Sequence, residues 1–193
     1  MNYNNKSEIL KRANFLLKDA IKNRESMFHT PIISSYANQN ISSRVMVLRA
    51  HNAIRRIIRF HSDFRSDKVK ELLDNPKTSI IGYDPSLKTQ IRLIGKSKIH
   101  HKNKNSLKAW SDSQAISKKC YSVKDGSSFK AEKPEIYDFH MKDIKLEDGY
   151  ENFCTIEFNY SVLEFLYLQR QGHRRCRFSW NDKGKLNSTW LVP

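Results

Sequence analysis

The hydrophobic and polar positions of this chain repeat with two periods, one typical of helices and one typical of strands. Residues 7–24 carry an apolar stripe at helical spacing, with Ser7 as the predicted N-cap, and residues 103–121 predict a second helix. A short helix is predicted to begin after Ser66 and to end before Pro76, because the residue before a proline avoids helical geometry. We expect these helices to flank a core with their apolar faces.

Short runs rich in β-branched and aromatic residues predict about seven or eight strands. They cover residues 27–36, 42–50, 54–62, 78–83, 89–99, 152–159, 173–180 and 188–193. A separate, mostly apolar run follows at 161–168, and residues 50–53 are predicted to join the second and third strands as a hairpin. Short strands in hairpin order favour an antiparallel barrel with a helical flank, an α+β fold, over an α/β sheet with crossovers.

The length and composition are those of one folded domain spanning residues 1–193. The chain is 38% hydrophobic and 11% aromatic, which excludes general disorder. Residues 122–150 are polar and without a steady period, and we interpret them as a loop or lid.

The net charge of +15 is the strongest deviation in composition. It is compatible with an anionic small ligand, with nucleic acid, or with a solvated surface, but the basic residues are spread along the chain, whereas a nucleic-acid-binding tail would be more clustered. Three cysteines without CxxC spacing argue against a disulfide framework and a structural zinc site. Without an apolar run of about 20 residues or a signal core, we expect a cytoplasmic protein with no membrane partner.

Three stretches place basic or polar side chains at predicted strand ends and at a helix start. Ser66 and Lys68 lie at the start of the short helix, where free N–H groups and the helix dipole favour an anion. Gln90, on a strand, can both donate and accept hydrogen bonds and so suits the edge of a pyrimidine-like ring. Arg44 and Arg49, five residues apart on one strand, point to opposite faces of an ideal sheet.

Four segments in order, RVMVLR, FHS–FRS–K, QIRLIGK and HRRCRFSW, resemble the pyridoxamine 5′-phosphate oxidase-like, FMN-binding split-barrel family. The resemblance covers about residues 44–99 and 153–193, and it is nearer to the branch of FMN-dependent oxidases of undefined substrate than to the vitamin B6 oxidases. It implies a split barrel that binds FMN in a groove between two subunits of a homodimer. The FMN-binding residues it implies are Arg44, Val45, Met46, Val47, Leu48, Arg49, His61, Ser62, Ser66, Lys68, Gln90 and Arg177, and those it implies for substrate are His173 and Arg175.

The chain departs from the family pattern at several of these positions. Asp67 stands where the family's phosphate clamp usually has an arginine, which Arg65 would have to replace. The Arg-x-His pair of the vitamin B6 oxidases is inverted as His173 and Arg175, and the family's tryptophan before the last hairpin is missing near Leu166. The Gln–Ser pair that follows the middle helix in the family has no clear match near Lys119 and Cys120. These changes favour a flavin protein over a pyridoxamine-phosphate enzyme.

The resemblance implies an oxidoreductase in which a small anionic substrate passes a hydride to flavin N5, chemistry that needs little protein acid–base catalysis. No catalytic side chain and no metal ligand is therefore nominated. Two alternatives stay open: a flavin-binding or redox-responsive module without turnover, and a basic barrel that binds nucleic acid. The three tryptophans do not form a stacking platform on neighbouring strands, so nucleic acid is not the expected partner.

Overall fold

Nine antiparallel strands and four α-helices make up the described part of the chain, which in this computed structural model comprises residues 1–37, 39–123, 125–133, 135 and 146–193. The helices are α1 (Lys6–Asp19), α2 (Asp67–Asp74), α3 (Lys104–Ser111) and α4 (Ala115–Lys119), with a 3-10 helix at Leu146–Asn152. The strands are β1 (Ile32–Ala37), β2 (Asn40–Val45), β3 (Ala50–Asn52), β4 (Ile57–Asp63), β5 (Lys77–Asp84), β6 (Thr89–His101), β7 (Phe153–Tyr167), β8 (Arg174–Trp180) and β9 (Leu186–Leu191).

Two long strands, β6 and β7, form the centre of the sheet. They pair along almost their whole length, β1, β2 and β5 continue the sheet beyond β6, and β7 carries β4 on its first half and β8 on its second half. The register shifts between Ile94 and Gly95, where a Cβ on Gly95 would lie 2.0 Å from the carbonyl oxygen of Asn159. Only glycine fits this bulge, which bends the sheet and separates its two halves.

The two faces of the sheet differ in their burial. One face carries the core, in which Ile33, Ile80, Leu93, Leu163 and Phe178 are almost fully buried beneath α1 and the neighbouring strands. We call the opposite side the outer face; by strand register it contains Ile32, Val45, Ile81, Tyr83, Gln90, Arg92, Ile94, Val162, Glu164, Leu166, Arg175 and Arg177. Several apolar side chains of the outer face are exposed, among them Ile32, Val45 and Tyr83.

The helices confirm the predicted helical flank and correct its ends. Asn5, not Ser7, is the N-cap of α1, because its side chain accepts from the N–H groups of Ser7 and Glu8. The helix ends at Asp19, before the predicted end at residue 24. The predicted helix 103–121 is interrupted and forms α3 and α4, with Asn103 and Ser106 closing a capping box at the start of α3.

Several predicted strand boundaries are wrong. The predicted strand 42–50 is broken, because β2 ends at Val45 and β3 begins at Ala50. The hairpin of β3 and β4 turns at residues 53–56, not 50–53, with Arg56 at a φ of 55°. The runs 152–159 and 161–168 belong to the single strand β7, because β6 pairs with both. The mainly antiparallel β fold with flanking helices is confirmed, whereas the assignment of residues 1–193 to one domain stays a prediction.

Part of the predicted loop or lid at 122–150, residues 136–145, lies outside the described residues. None of the helices in the described ranges is long and apolar enough to cross a membrane.

Candidate functional site

A cavity of about 620 Å³ lies beside the start of α2 and gathers a large part of the predicted site. We call it the main cavity. Of the predicted cofactor-binding residues, it is lined by Val45, Met46, Val47, Arg49, His61, Ser62 and Lys68. Three separate stretches of sequence, the chain after β2, the end of β4 and the start of α2, therefore meet at one concave surface.

The first wall is the extended chain that follows β2. The N–H groups of Met46 and Leu48 donate to the carbonyls of Pro31 and His29, at 3.1 and 2.8 Å. These two hydrogen bonds fix the direction of the segment after β2. Met46 and Leu48 are buried in the core, whereas Val45 and Val47 are more exposed and line the cavity. Leu48 can therefore contact a ligand in the main cavity only through its backbone.

The second wall is the loop and first turn of α2, with Ser66 at its N-cap. The buried Ser66 hydroxyl donates to the carbonyl of Asp63 at 2.7 Å and lies 3.4 Å from the Ser62 hydroxyl. The first N–H groups of a helix have no acceptor within the helix and attract anions. Lys68 lies in this first turn, lines the cavity, and makes no ion pair within the described part of the chain.

The pKa of the Lys68 ammonium is lowered by burial and by the nearby Arg44 guanidinium, against the opposing effect of Asp63, Cys154 and Glu71. A buried cation without a counter-ion is costly. An anion bound in the main cavity would relieve this cost, so the electrostatics of the cavity fit a phosphate group beside Lys68.

Arg44 lies close to the main cavity but is held by other groups. Its guanidinium forms an ion pair with Glu71 of α2, with 2.6 Å between Nη2 and Oε2, and also donates to the hydroxyls of Ser35 and Ser42. Burial pushes the pKa of Glu71 up, but hydrogen bonds from Ser35 and Arg44 outweigh it and lower the pKa. Arg44 thus ties β2 to α2, next to the lysine that faces the cavity.

His61 presents an unpaired ring nitrogen at the end of β4. Its Nε2 is buried without a hydrogen-bond partner, and its ring packs edge-on against Phe153 at 5.0 Å between centroids. Burial, with Arg59 and Arg49 adding to it, lowers the pKa of His61 to about 3. The imidazole is therefore neutral at physiological pH and can serve as a hydrogen-bonding partner for a ligand but not as a positive charge.

The contacts of Arg65 do not support the expectation that it replaces the arginine of the family's phosphate clamp. Arg65 donates to both carboxylate oxygens of Asp63, at 3.0 and 2.7 Å, and to the carbonyl of Val123 at 3.2 Å. Asp67, at the clamp position itself, is exposed and pairs with Lys70 at 3.4 Å. Lys68 is therefore the cation of this turn that faces the main cavity.

The chain after α4 and the first part of the predicted loop or lid at 122–150 complete the cavity: Cys120, Tyr121, Val123, Asp125, Gly126, Ser127, Ser128, Phe129 and Ala131. Tyr121 is held by an aromatic cluster with Trp110 and Phe153. Gly126 packs so tightly that a Cβ there would lie 2.7 Å from the side chains of Arg65 and Phe129. The sequence signals for this wall were the predicted loop or lid at 122–150 and the family's Gln–Ser position near Cys120.

The remaining predicted residues lie on the outer face, away from the main cavity of the same chain. Gln90, Arg175 and Arg177 lie on β6 and β8, and the exposed His173 lines a small cavity together with Arg175. Arg177 and Arg175 donate to the Glu164 carboxylate at 2.7 and 3.0 Å, and Arg92 pairs with it at 2.9 Å. Burial raises the pKa of Glu164, but these hydrogen bonds outweigh it and lower the pKa.

The arrangement can hold a planar molecule with a phosphate tail, because an apolar extended segment faces a helix start whose Lys68 has no ion pair among the described residues. Among the described residues, no group of three or more His, Cys, Asp or Glu side chains could hold a metal ion. The chemistry of this site therefore depends on what the main cavity binds.

Comparison with known proteins points to one family. Residues 13–101 match the sequence model of the family described as pyridoxamine 5′-phosphate oxidase, FMN-binding domain. No curated protein matches the chain. The resemblance predicted from the sequence is confirmed, and the description of the matched domain confirms FMN as its cofactor.

Solved structures with the same fold extend the likeness to almost the whole chain. A pyridoxamine 5′-phosphate oxidase-related, FMN binding protein from Nostoc punctiforme PCC 73102 is 17% identical, with 97% of this chain and 95% of that chain covered and a TM-score of 0.75. PhzG from Burkholderia lata 383, solved with tetrahydrophenazine-1-carboxylic acid, is 18% identical, with 99% and 96% covered and a TM-score of 0.73. A Clostridium acetobutylicum protein related to general stress protein 26 is 12% identical, with 89% and 95% covered and a TM-score of 0.58. At these identities the likeness establishes the split-barrel fold.

Proposed function

The chain resembles the pyridoxamine 5′-phosphate oxidase-like, FMN-binding split-barrel family in sequence over residues 13–101 and in fold over nearly its whole length, and on this premise we propose that it is a homodimeric FMN-dependent oxidoreductase. Its substrate is a small anionic molecule. The observation that carries the proposal is the main cavity, where predicted cofactor-binding residues from three separate stretches meet.

Different residues of the main cavity would bind different parts of the cofactor. Lys68, with the Ser62 hydroxyl and the free N–H groups at the start of α2, would hold the phosphate. Val45 and Val47, with the backbone of the segment they belong to, would flank the ring system, and His61 would offer its unpaired Nε2. Bound FMN supplies an electron-accepting N5 that takes a hydride from the substrate. The protein's part is to bind, to orient and to exclude water.

A second copy of the chain would bring the remaining residues to the cofactor. Val45 lines the main cavity and lies on the outer face, the same face that carries Gln90 and Arg177. Ile32 and Val45 are paired on this face and are 43% and 61% exposed. A contiguous exposed apolar patch is typical of an interface. A two-fold axis through this face would place Gln90 and Arg177 of one copy near the main cavity of the other.

The same contact would put His173 and Arg175 within reach of a substrate over the ring. Both line a small cavity at the start of β8, and Arg175 shares the Glu164 carboxylate with Arg92 and Arg177. Three arginines around one carboxylate leave an excess of positive charge, which favours an acidic substrate. The ligand of PhzG, a carboxylic acid, is in keeping with such a substrate. We place the reaction in the cytoplasm.

A flavin-binding module without turnover is the second candidate, and the stretch at residues 125–131 supports it. These residues line the main cavity, where a substrate would have to approach the cofactor. Both candidates require a yellow protein, and they differ in what reduces it.

The test is anaerobic reduction of the purified protein, and the loss of flavin absorbance is the signal that is measured. Candidate amines, cyclic carboxylic acids and reduced nicotinamide cofactors are added in turn, and oxygen is then readmitted. An oxidoreductase bleaches with one of them and recovers its colour over repeated cycles. A protein that stays oxidised with every donor, but bleaches with dithionite, supports the module.

A further inference from the structure

An exposed aromatic side chain lies on the loop that completes the main cavity. Phe129 lines this cavity together with Val45, Val47 and Lys68, yet it is 58% exposed. In the described part of the chain it joins neither of the two clusters of buried hydrophobic residues. A single exposed aromatic residue is common on protein surfaces, but this one borders a concave surface of about 620 Å³.

The backbone that carries Phe129 forms a tight turn with a strained residue. The Phe129 N–H donates to the Gly126 carbonyl at 3.2 Å, which closes a β-turn over residues 126–129. Ser128, the third residue of this turn, has a φ of 83°. Glycine is favoured at such a position, because a side chain is strained at positive φ. The serine indicates that the surrounding contacts, and not local preference, determine the turn.

The ring of Phe129 is positioned by a glycine that leaves no spare room. Gly126 is buried, and a Cβ there would lie 2.7 Å from the Phe129 ring and 2.7 Å from the Cβ of Arg65. Arg65 is itself fixed, because its guanidinium donates to both carboxylate oxygens of Asp63 and to the carbonyl of Val123. The Phe129 ring therefore lies against a firm support beside the main cavity.

An apolar ring held at a cavity is stabilised when a flat apolar surface covers it. The gain grows with the apolar area removed from water, and two aromatic rings add a preferred stacked or edge-on geometry. Val45 and Val47 present apolar side chains to the same cavity from the segment after β2, and Lys68 presents a cation from α2. The main cavity thus combines apolar groups from two separate stretches with one site for an anion.

We propose that Phe129 is a ring-binding residue of the main cavity, whose side chain packs against the planar ring system of the bound flavin. That the planar ring is a flavin rests on the proposed function. Gly126 and Ser128 are positioning residues, because they hold the Phe129 side chain in place. The contact selects for a flat aromatic ring and does not depend on the phosphate, which Lys68 binds.

The test compares FMN with riboflavin, which has the same ring system but no phosphate, in fluorescence titrations of the full-length apoprotein. Phe129→Ala should weaken the binding of both flavins by a similar factor of about ten, the size of the loss when an aromatic side chain stacked on a nucleobase is truncated. Phe129→Tyr should bind both flavins like the wild type. Lys68→Ala should weaken the binding of FMN and leave that of riboflavin unchanged.

The matched control is Phe15→Ala, because Phe15 is also 58% exposed but lies on α1 and does not line the main cavity. It should bind both flavins like the wild type. Urea unfolding of the apoproteins checks the fold, and Phe129→Ala should unfold like the wild type because its ring packs in neither hydrophobic cluster. A merely structural role of Phe129 would instead lower the stability of the apoprotein.

A second readout follows the ring of the flavin itself. At saturating FMN, acrylamide, a neutral quencher, should reduce the fluorescence of bound flavin more strongly in Phe129→Ala than in the wild type, because the ring has lost apolar cover. The Phe15→Ala variant should be quenched like the wild type.

Two results overturn the proposal. One is that Phe129→Ala and the wild type bind FMN equally and are quenched equally. The other is that Phe129→Ala weakens FMN binding but not riboflavin binding, which would place Phe129 beside the phosphate. A wild type that binds neither flavin contradicts the proposed function and the ring contact together, whereas FMN binding that depends on Lys68 but not on Phe129 contradicts only the ring contact.

Discussion

The Arg44 guanidinium lies 2.6 Å from the Glu71 carboxylate, so the arginine at the end of β2 is neutralised by the helix that it faces. In the described part of the chain, Lys68 has no such partner, although it lies in the same helix. The two residues were predicted to bind FMN together, and the structure gives them different roles. Arg44 braces the wall of the main cavity, and we propose that Lys68 supplies the charge for the phosphate.

Lys68→Ala should therefore weaken FMN binding by about ten- to a hundredfold, the effect of one charge-assisted phosphate contact. The measurement is fluorescence titration of apoprotein with FMN. Lys70→Ala is the matched control, because Lys70 lies on the same helix, is exposed and pairs only with Asp67 within the described residues. If the wild type and the Lys68 variant bound FMN with equal affinity, the phosphate of FMN would not be held at this helix start.

Arg44→Ala should lower both stability and FMN affinity, because the ion pair with Glu71 braces the wall of the main cavity. Loss of the guanidinium leaves the Glu71 carboxylate, whose side chain is only 14% exposed, without its cation and should cost about 1–3 kcal/mol in the free energy of unfolding. The double variant Arg44→Ala/Glu71→Gln should recover most of the stability and, with the wall restored, most of the affinity. Denaturant unfolding and flavin titration of the same samples check this. Recovery of stability without recovery of affinity would contradict the bracing role and mean that Arg44 contacts FMN itself.

Ile32→Glu should convert the protein from a dimer to a monomer, because it places a charge in the exposed apolar patch of the outer face. The same variant should lose FMN, since Gln90 and Arg177 would come from the second copy. Light scattering after gel filtration gives the mass, and absorbance gives the flavin content. Ile54→Glu, in the β3–β4 turn and 91% exposed, is the control and should stay dimeric. A wild type that runs as a monomer and still binds FMN would contradict the two-subunit site.

Stability should fall as the pH drops from about 6.5 to 5. Burial lowers the pKa of His61 to about 3 and that of His51 to about 4, whereas both titrate near 6.5 in the unfolded chain. Between these values the unfolded chain binds the protons and the folded chain does not, so acid favours unfolding. Each histidine contributes at most about 1.4 kcal/mol per pH unit.

Urea unfolding at several pH values between 5 and 7.5 measures this dependence before the carboxylates titrate. His61→Gln should flatten the dependence, because it removes one of the two histidines whose pKa burial lowers. A slope that does not respond to His61→Gln would show that the imidazole is solvated in the folded protein.

Local signals in the sequence predicted those parts of the fold that local interactions determine. Ser66 and Pro76 bound α2 as expected, and β5 and β6 cover the predicted strands 78–83 and 89–99. The single strand β7 was missed because its continuity comes from pairing with β6 across the bulge at Gly95, and no local pattern reports such a partner. Asn5 outcompetes Ser7 as the N-cap because the N-terminal turn before α1 places its side chain over two free N–H groups.

The site was predictable where a continuous motif carried it. Val45 to Val47, His61, Ser62 and Lys68 belong to such motifs and meet at the main cavity. The wall at residues 125–131 lies in the predicted loop or lid, which carries no period, so its place beside the main cavity could not be found before the elements were in place.

The most direct test of the flavin site is the absorption spectrum of the purified protein, with any released chromophore identified by mass. The account predicts a yellow protein, or a colourless one that binds added FMN at one molecule per chain, with absorbance bands that shift on binding and a mass equal to that of FMN. A protein that is colourless as purified and takes up no FMN at saturating concentrations would contradict it.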